Sequence, residues 1–539
     1  MGWFLNPHML SLPSLLTGAV LPGLITFPAG TWTMFQVKIL LLVVVNGLFL
    51  GIAAALAWNR RGREPGSAPP VASKVSLAWI LGLYAVLIFP LALVLDLGIY
   101  QSDEGAYLFE AHIIQAGGLT MPAPPPVTVP AVQGFEHDII LDGKWFGKFP
   151  VGWPVVLAAA GMLRLEWLVN PLLGLLLLWL TYRIGALALS LEEARGAVFL
   201  LVLSAYFTAN CLGFMPHPAC SVLSAAAVLC YLLHERSSNR LWILGMLLCI
   251  GVEVQMRQFT AICVAAVLGA GLLWRLRKDL PQLAFFVLSA AVIGGAAVGL
   301  SASINHQLIG DYFRSPYALT PDGTGVSIRP AALLDNAIHR TPVWVADTIL
   351  TSFPFLFVLA GYGLWRRRRE LNLWILALPF VVLVAGHMIE IYDSDAPVGG
   401  RYYLEGFFGV ALVAAAGWRQ MVRDARWDGP FRRGLFGAVS LLAAANVVLF
   451  TCWEYNLRWP TRQLTKAMAS APCEVVFLPD TAEAKGHRYN INRPDSKALY
   501  LLDVGPTQRD EIVKGLGKSC WATLTYEPQL REAQWHQRP

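Results

Sequence analysis

Five short segments carry the side chains that could do chemistry. The first is Tyr100-Gln101-Ser102-Asp103-Glu104-Gly105-Ala106-Tyr107, which leads into helically spaced Ala106, Phe109 and Ile113. A carboxylate at Asp103, set at a membrane surface, could accept the proton of an attacking hydroxyl, a role worth roughly 10² to 10⁴ in rate. Glu104 and Glu110 could support it or orient the acceptor. Helix capping by Ser102 or Asp103 accounts for the same residues equally well, because the positive end of a helix dipole favours acids. The second segment, Phe146-Gly147-Lys148-Phe149-Pro150-Val151-Gly152-Trp153-Pro154, is bent by its prolines and glycines and fixes Lys148 at headgroup depth. Lys148 there either neutralises a lipid phosphate or snorkels toward water.

The third segment, Met215-Pro216-His217-Pro218, offers a lone histidine. A metal at His217 would need further ligands, which His112, His137 and the acids would have to supply, so a divalent ion is left open. In the fourth, Arg257 stands at the boundary between two apolar runs, where an ionisable group is costly and points into a polar cavity. A guanidinium matches a phosphate bidentately, which makes phosphate recognition its natural role. The fifth segment packs Asp393, Asp395, Arg401, Tyr402, Tyr403 and Glu405 into a turn before another apolar run. Its acids also fit a solvated turn, and Arg401 and Glu405 have the i,i+4 spacing of a structural ion pair.

The elements that must position these segments are membrane helices. Of 539 residues 56% are hydrophobic and 14% charged, against about one quarter charged in a soluble domain, which excludes both a cytosolic globule and a disordered chain. Apolar runs fall at 10–27, 36–58, 75–97, 171–189, 197–212, 219–233, 241–255, 259–274, 283–304, 345–365, 371–391, 402–418 and 435–455. Each is measured against the roughly 20 residues that a bilayer requires. The net charge of +6 sits in short clusters between these runs, such as Arg366 to Arg369, and reads as a topology signal rather than a nucleic-acid footprint. Loops rich in Lys and Arg alternate with poor ones if 152–165 is re-entrant or juxtamembrane. This predicts about 13 spans, with the N-terminus in the cytoplasm and the C-terminus outside.

All five segments then lie on the outer side. The large outer loops are 98–149 and 305–342, and the tail 456–539 reads as a small extracytoplasmic α/β domain. Its β-rich runs are 474–478, 498–502 and 522–526, with a helical pattern at 508–516. Cys473 and Cys520 fall in it, free to pair or not in a disulfide-permissive compartment. No GxxxxGK[ST] or strand–GxGxxG–helix pattern occurs. An enzyme working outside would lack nucleotide-activated donors, so a donor with a phosphate head and a lipid tail is expected.

On these residues the chain resembles the polytopic GT-C glycosyltransferases that use polyprenyl-phosphate sugars. That group includes the lipid A aminoarabinose transferases and the protein O-mannosyltransferases. The resemblance rests on Asp103-Glu104 with Tyr107, on Lys148-Phe149-Pro150 with Trp153-Pro154, on His217 and Arg257, and on Gly400-Arg401-Tyr402-Tyr403-Leu404-Glu405. It covers roughly 75–455 as a transmembrane catalytic domain and leaves 1–74 as an added membrane hairpin. It implies inverting transfer of a sugar to a glycan, lipid or protein hydroxyl, with Asp103 as base and Glu104 assisting. Arg257, Lys148 and Arg401 become donor-phosphate ligands, and Tyr107, Trp153, His217, Tyr402 and Tyr403 line the pocket. Gly147 and Val151 depart from the family pattern around the lysine, which puts a metal ligand there in doubt. A transporter or flippase is the alternative; it would place ionisable groups mid-span and show repeated halves.

Overall fold

The computed structural model describes residues 76–538 except 97, 133–134, 136, 320–324, 327–329, 392–400, 425–428, 479–491 and 528–531. The hairpin 1–74, with its two apolar runs, and Asp393, Asp395 and Gly400 lie outside the described residues.

Seven described helices are each long and apolar enough to cross a membrane: Leu77–Leu95, Glu166–Ala188, His217–Ser237, Gln258–Leu276, Leu280–Ile309, Leu371–Ile389 and Arg432–Cys452. Of the remaining apolar runs after residue 75, three are broken, short or bent for a local reason, and the fourth is enclosed within the bundle. Run 197–212 breaks at Leu203, because Ser204 caps a new short helix, Ala205–Asn210, through the Phe207 N–H. Run 241–255 forms Leu241–Val254, whose 14 residues reach about 21 Å, short of the roughly 30 Å of hydrocarbon. Run 345–365 is bent by 99° between Leu333–Thr351 and Leu356–Arg366. The short apolar stretch after Gly152 is a ten-residue helix, Gly152–Gly161, too short to cross.

Run 402–418 lies in the helix Leu404–Asp424, which is buried along most of its length in the centre of the bundle. Small residues make that position accessible. A Cβ at Gly409 would run into the Leu376 carbonyl, and one at Gly417 into the Leu359 carbonyl. Gly409 faces the helix Leu371–Gly386 and Gly417 the helix Leu356–Arg366, both at backbone-to-backbone distance.

Above the bundle, the helix Ser102–Gln115 packs beside Gly152–Gly161. Strands Asp138–Leu141 and Lys144–Gly147 form an antiparallel hairpin through Asp142-Gly143, both with positive φ, as a tight two-residue turn requires. The carboxyl-terminal part is a four-stranded sheet. Val475–Leu478 lies parallel to both Leu499–Leu502 and Trp521–Glu527, and Glu532–Arg538 adds an antiparallel edge that the sequence pattern did not announce. Cys473 and Cys520 are disulfide-bonded.

This sheet shares one hydrophobic core with the first loop. Phe109, Ile113 and Trp145 pack with Val476, Phe477, Leu501 and Leu524. The helix Gly429–Met468 joins the two layers. Its 40 residues span about 60 Å, so it runs unbroken through position 455 and carries Leu464 and Met468 into the shared core.

Candidate active site

At the first segment the geometry gives the helix-capping bonds to Glu104 and leaves Asp103 to other partners. The helix starts at Ser102, and Gln101 is its N-cap. Glu104, not Asp103, takes the free backbone N–H groups, accepting from Tyr100 at 2.9 Å and Gln101 at 3.4 Å. Its other oxygen accepts from the Phe214 N–H at 3.0 Å. Arg458 grips the same carboxylate through Nη1 and Nη2 at 2.8–3.1 Å, and its Nη1 also donates to the Gly98 carbonyl. Glu104 is fully buried and points away from the cationic cluster described next.

Asp103 faces the other way. Its Oδ1 lies 2.7 Å from His137 Nε2, and its Oδ2 accepts from Arg401 Nη2 at 2.5 Å. Burial by itself raises the Asp103 carboxyl, but Arg401, then His137 and Lys148, outweigh it and hold the group well below the usual carboxylate range. His137 also meets Ser102 Oγ at 3.0 Å through the same Nε2. A nucleophilic serine triad uses opposite ring nitrogens, so this is not one. Its backbone sits at φ 75°, a costly conformation for a non-glycine residue, and its carbonyl accepts the Lys148 N–H.

Arg401 Nη2 also donates to the Tyr402 hydroxyl at 3.1 Å. Two guanidiniums bracket that tyrosine: Arg401 lies 5.1 Å and Arg257 5.2 Å from its ring centre. Arg257 is anchored from behind by Thr260 Oγ1 at 3.2 Å and by Glu405 Oε1 at 3.6 Å. The same Glu405 oxygen meets His217 Nδ1 at 3.0 Å, with both side chains fully buried. The ion pairs of Arg401 and Glu405 therefore run to Asp103 and Arg257 rather than between i and i+4.

Lys148 is 2% exposed, which rules out snorkelling. Its ammonium lies 5.7 Å from the Phe149 ring and 5.6 Å from the Tyr317 ring. It borders a small cleft lined also by Gln255, Gln258, Ser301 and Asn305. Glu110 accepts the Phe149 N–H behind it, and burial pushes its carboxyl well up.

Asp103, Arg401, Tyr402, Arg257 and His217 thus form one contiguous chain, with Lys148 joined through His137 and Phe149. Tyr107 stacks on Phe149 at 4.3 Å and borders it. Trp153 packs in one cluster with Tyr107 and Phe149, and Tyr403 adjoins His387, which also meets Tyr402. The Trp153 indole donates to the Phe214 carbonyl, and Tyr403 packs on Phe380 in the membrane core. Among the described residues no three His, Cys, Asp or Glu side chains converge to hold a metal ion. His137 as partner of Asp103 left no local signal in the sequence. Arg458 did, through its i,i+4 spacing to Glu454 just beyond an apolar run, as did Glu405 as an acid at the membrane boundary.

No protein-family model and no curated protein matches the sequence. The structure does have counterparts. ArnT from Cupriavidus metallidurans, bound to undecaprenyl phosphate, superposes with a TM-score of 0.54 at 12% identity. The match covers 85% of this chain and 94% of ArnT. The chain has the GT-C fold. The apo state of the same ArnT aligns to this chain with the same score and identity, over 84% and 93% of the two chains. The apo oligosaccharyltransferase of Archaeoglobus fulgidus reaches 0.47 at 13% identity, over 84% of this chain and 70% of its own.

Proposed function

We propose that this GT-C chain is an inverting glycosyltransferase. It moves a sugar from a polyprenyl-phosphate donor to an acceptor hydroxyl at the outer face of the cytoplasmic membrane. The observation that carries the reading is the chain of contacts from Asp103 through Arg401 and Tyr402 to Arg257, which sets a carboxylate base beside two phosphate-matching cations. The lipid phosphate bound by ArnT supports the donor class.

In the proposed step the acceptor oxygen attacks the anomeric carbon from the side opposite the phosphate. A carbon–oxygen bond forms, the bond to the phosphate oxygen breaks with its electron pair, and Asp103 takes the hydroxyl proton. Arg257, Arg401 and Lys148 stabilise the departing polyprenyl phosphate. Glu405 and His217 hold Arg257 in place, and Glu104 holds the base helix rather than taking part.

Purified protein incubated with a panel of radiolabelled polyprenyl-phosphate sugars should release polyprenyl phosphate and label an acceptor. A flippase would bind the lipids and release none. Within that assay Arg257→Lys should raise the donor KM several-fold, since it keeps the charge and loses the paired hydrogen bonds, and Arg257→Ala should raise it further. Equal KM values in all three proteins would remove Arg257 from the phosphate site.

Sidedness has its own test. Single cysteines placed in a Cys-free background at positions 367 and 514 should differ toward an impermeant maleimide, with only 514 labelled in intact cells. The reverse pattern would overturn the outward-facing site.

A further inference from the structure

We propose that Arg401 keeps Asp103 inactive until the donor's phosphate draws the guanidinium away, so that donor binding itself releases the base. This rests on the preceding reading, in which Asp103 accepts the proton and the arginines take the phosphate. Both oxygens of the carboxylate are engaged, Oδ1 by His137 and Oδ2 by Arg401. A carboxylate in charge-assisted bonds of this kind is stabilised as the anion and accepts a proton poorly. The base is therefore in place but quenched.

The same arrangement contains the means of release. Arg257 is held by Thr260 and Glu405, away from Asp103, whereas Arg401 makes its short ion pair to the base itself and donates to the Tyr402 hydroxyl. Arg257 and Arg401 lie on one tyrosine ring, within about 10 Å of each other. A phosphate bridging two guanidiniums through bonds of 2.7–2.9 Å sets their central carbons roughly 8 Å apart. A donor held by Arg257 thus offers Arg401 a second anion within a side-chain movement of its present one.

The exchange deepens during the reaction. As the sugar–phosphate bond breaks, the leaving phosphate gains a full negative charge and draws Arg401 further. Asp103 loses its counter-ion as the hydroxyl proton arrives. The charged and titratable groups facing Asp103 include Arg401, His137 and Lys148, with Tyr317 and His217 at longer range. Only Arg401 is asked to move.

The test uses the purified full-length protein and undecaprenyl methyl phosphate, a diester like the donor that has no proton to lose near neutrality. Isothermal titration of wild type near pH 5, in two buffers of different ionisation enthalpy, should show proton uptake on binding, because Asp103 regains a proton once Arg401 leaves it. Asp103→Asn should abolish that uptake and bind the diester about tenfold tighter, since Arg401 no longer has a competing anion. A folded Asp103→Asn protein that binds within twofold of wild type overturns the proposal. So does wild-type binding without uptake, and that measurement decides alone if the variant does not fold. The underlying reading fails differently: Arg257→Ala and Arg401→Ala would then both bind the diester as wild type does.

Discussion

Asp103→Asn is expected to give a folded protein whose turnover at saturating donor is reduced by about 10² or more. The substitution is nearly isosteric, and it disturbs no helix cap, because Gln101 and Glu104 occupy those positions. An asparagine can still bond to Arg401 and His137. What it loses is the capacity to take a proton at the end of the reaction. Turnover should be measured beside a melting curve for the same preparation. A folded variant with near wild-type turnover would move the base elsewhere.

Its neighbour should behave in the opposite way. Glu104→Gln leaves the Arg458 guanidinium buried with half of its anionic partnership gone, and Arg458→Met leaves Glu104 and Glu454 uncompensated. Breaking a buried pair from one side typically costs about 3–5 kcal/mol. Both variants should melt at clearly lower temperature, yet keep a rate per folded molecule within about tenfold of wild type. The double variant should cost less than the two single losses together, because the groups act as one unit. If Glu104→Gln instead lost turnover with its melting curve unchanged, Glu104 would belong to the chemistry.

These two adjacent acids mark what the sequence could disclose. Apolar runs placed the long helices at 77–95, 166–188 and 280–309 correctly to within a few residues, since a membrane-facing helix must be apolar over most of its surface. Runs that end up inside protein obey weaker rules. At 197–212 one serine cap outweighs continuous hydrophobicity, and at 404–424 the helix is enclosed by neighbours that the sequence does not identify. Arg257, Arg401 and Asp103 stood out because a charge beside an apolar run is expensive to keep. Their partners are set by long-range folding. Asp103 and Arg401 are 298 positions apart, and His137 lies in a loop with no distinguishing pattern. The different surroundings of Asp103 and Glu104 were unreadable for the same reason, because the residue that claims Glu104 is Arg458.

The Glu104–Arg458 contact also sets a timetable for biosynthesis. The two residues are separated by 354 positions, so at about 5–20 residues per second the helix bearing Glu104 waits roughly 20–70 s on the translating ribosome before its clamp is synthesised. Until then a carboxylate destined for a dry interior has no guanidinium to meet, and the first loop cannot close on the sheet that completes its core. The helix bearing Asp103 is among the first described elements to be made and among the last to be fixed. Chains cut short before the final membrane helix therefore emerge with Asp103, Lys148, Arg257 and Arg401 all present and the candidate site unassembled. Activity becomes a mark of a finished polypeptide.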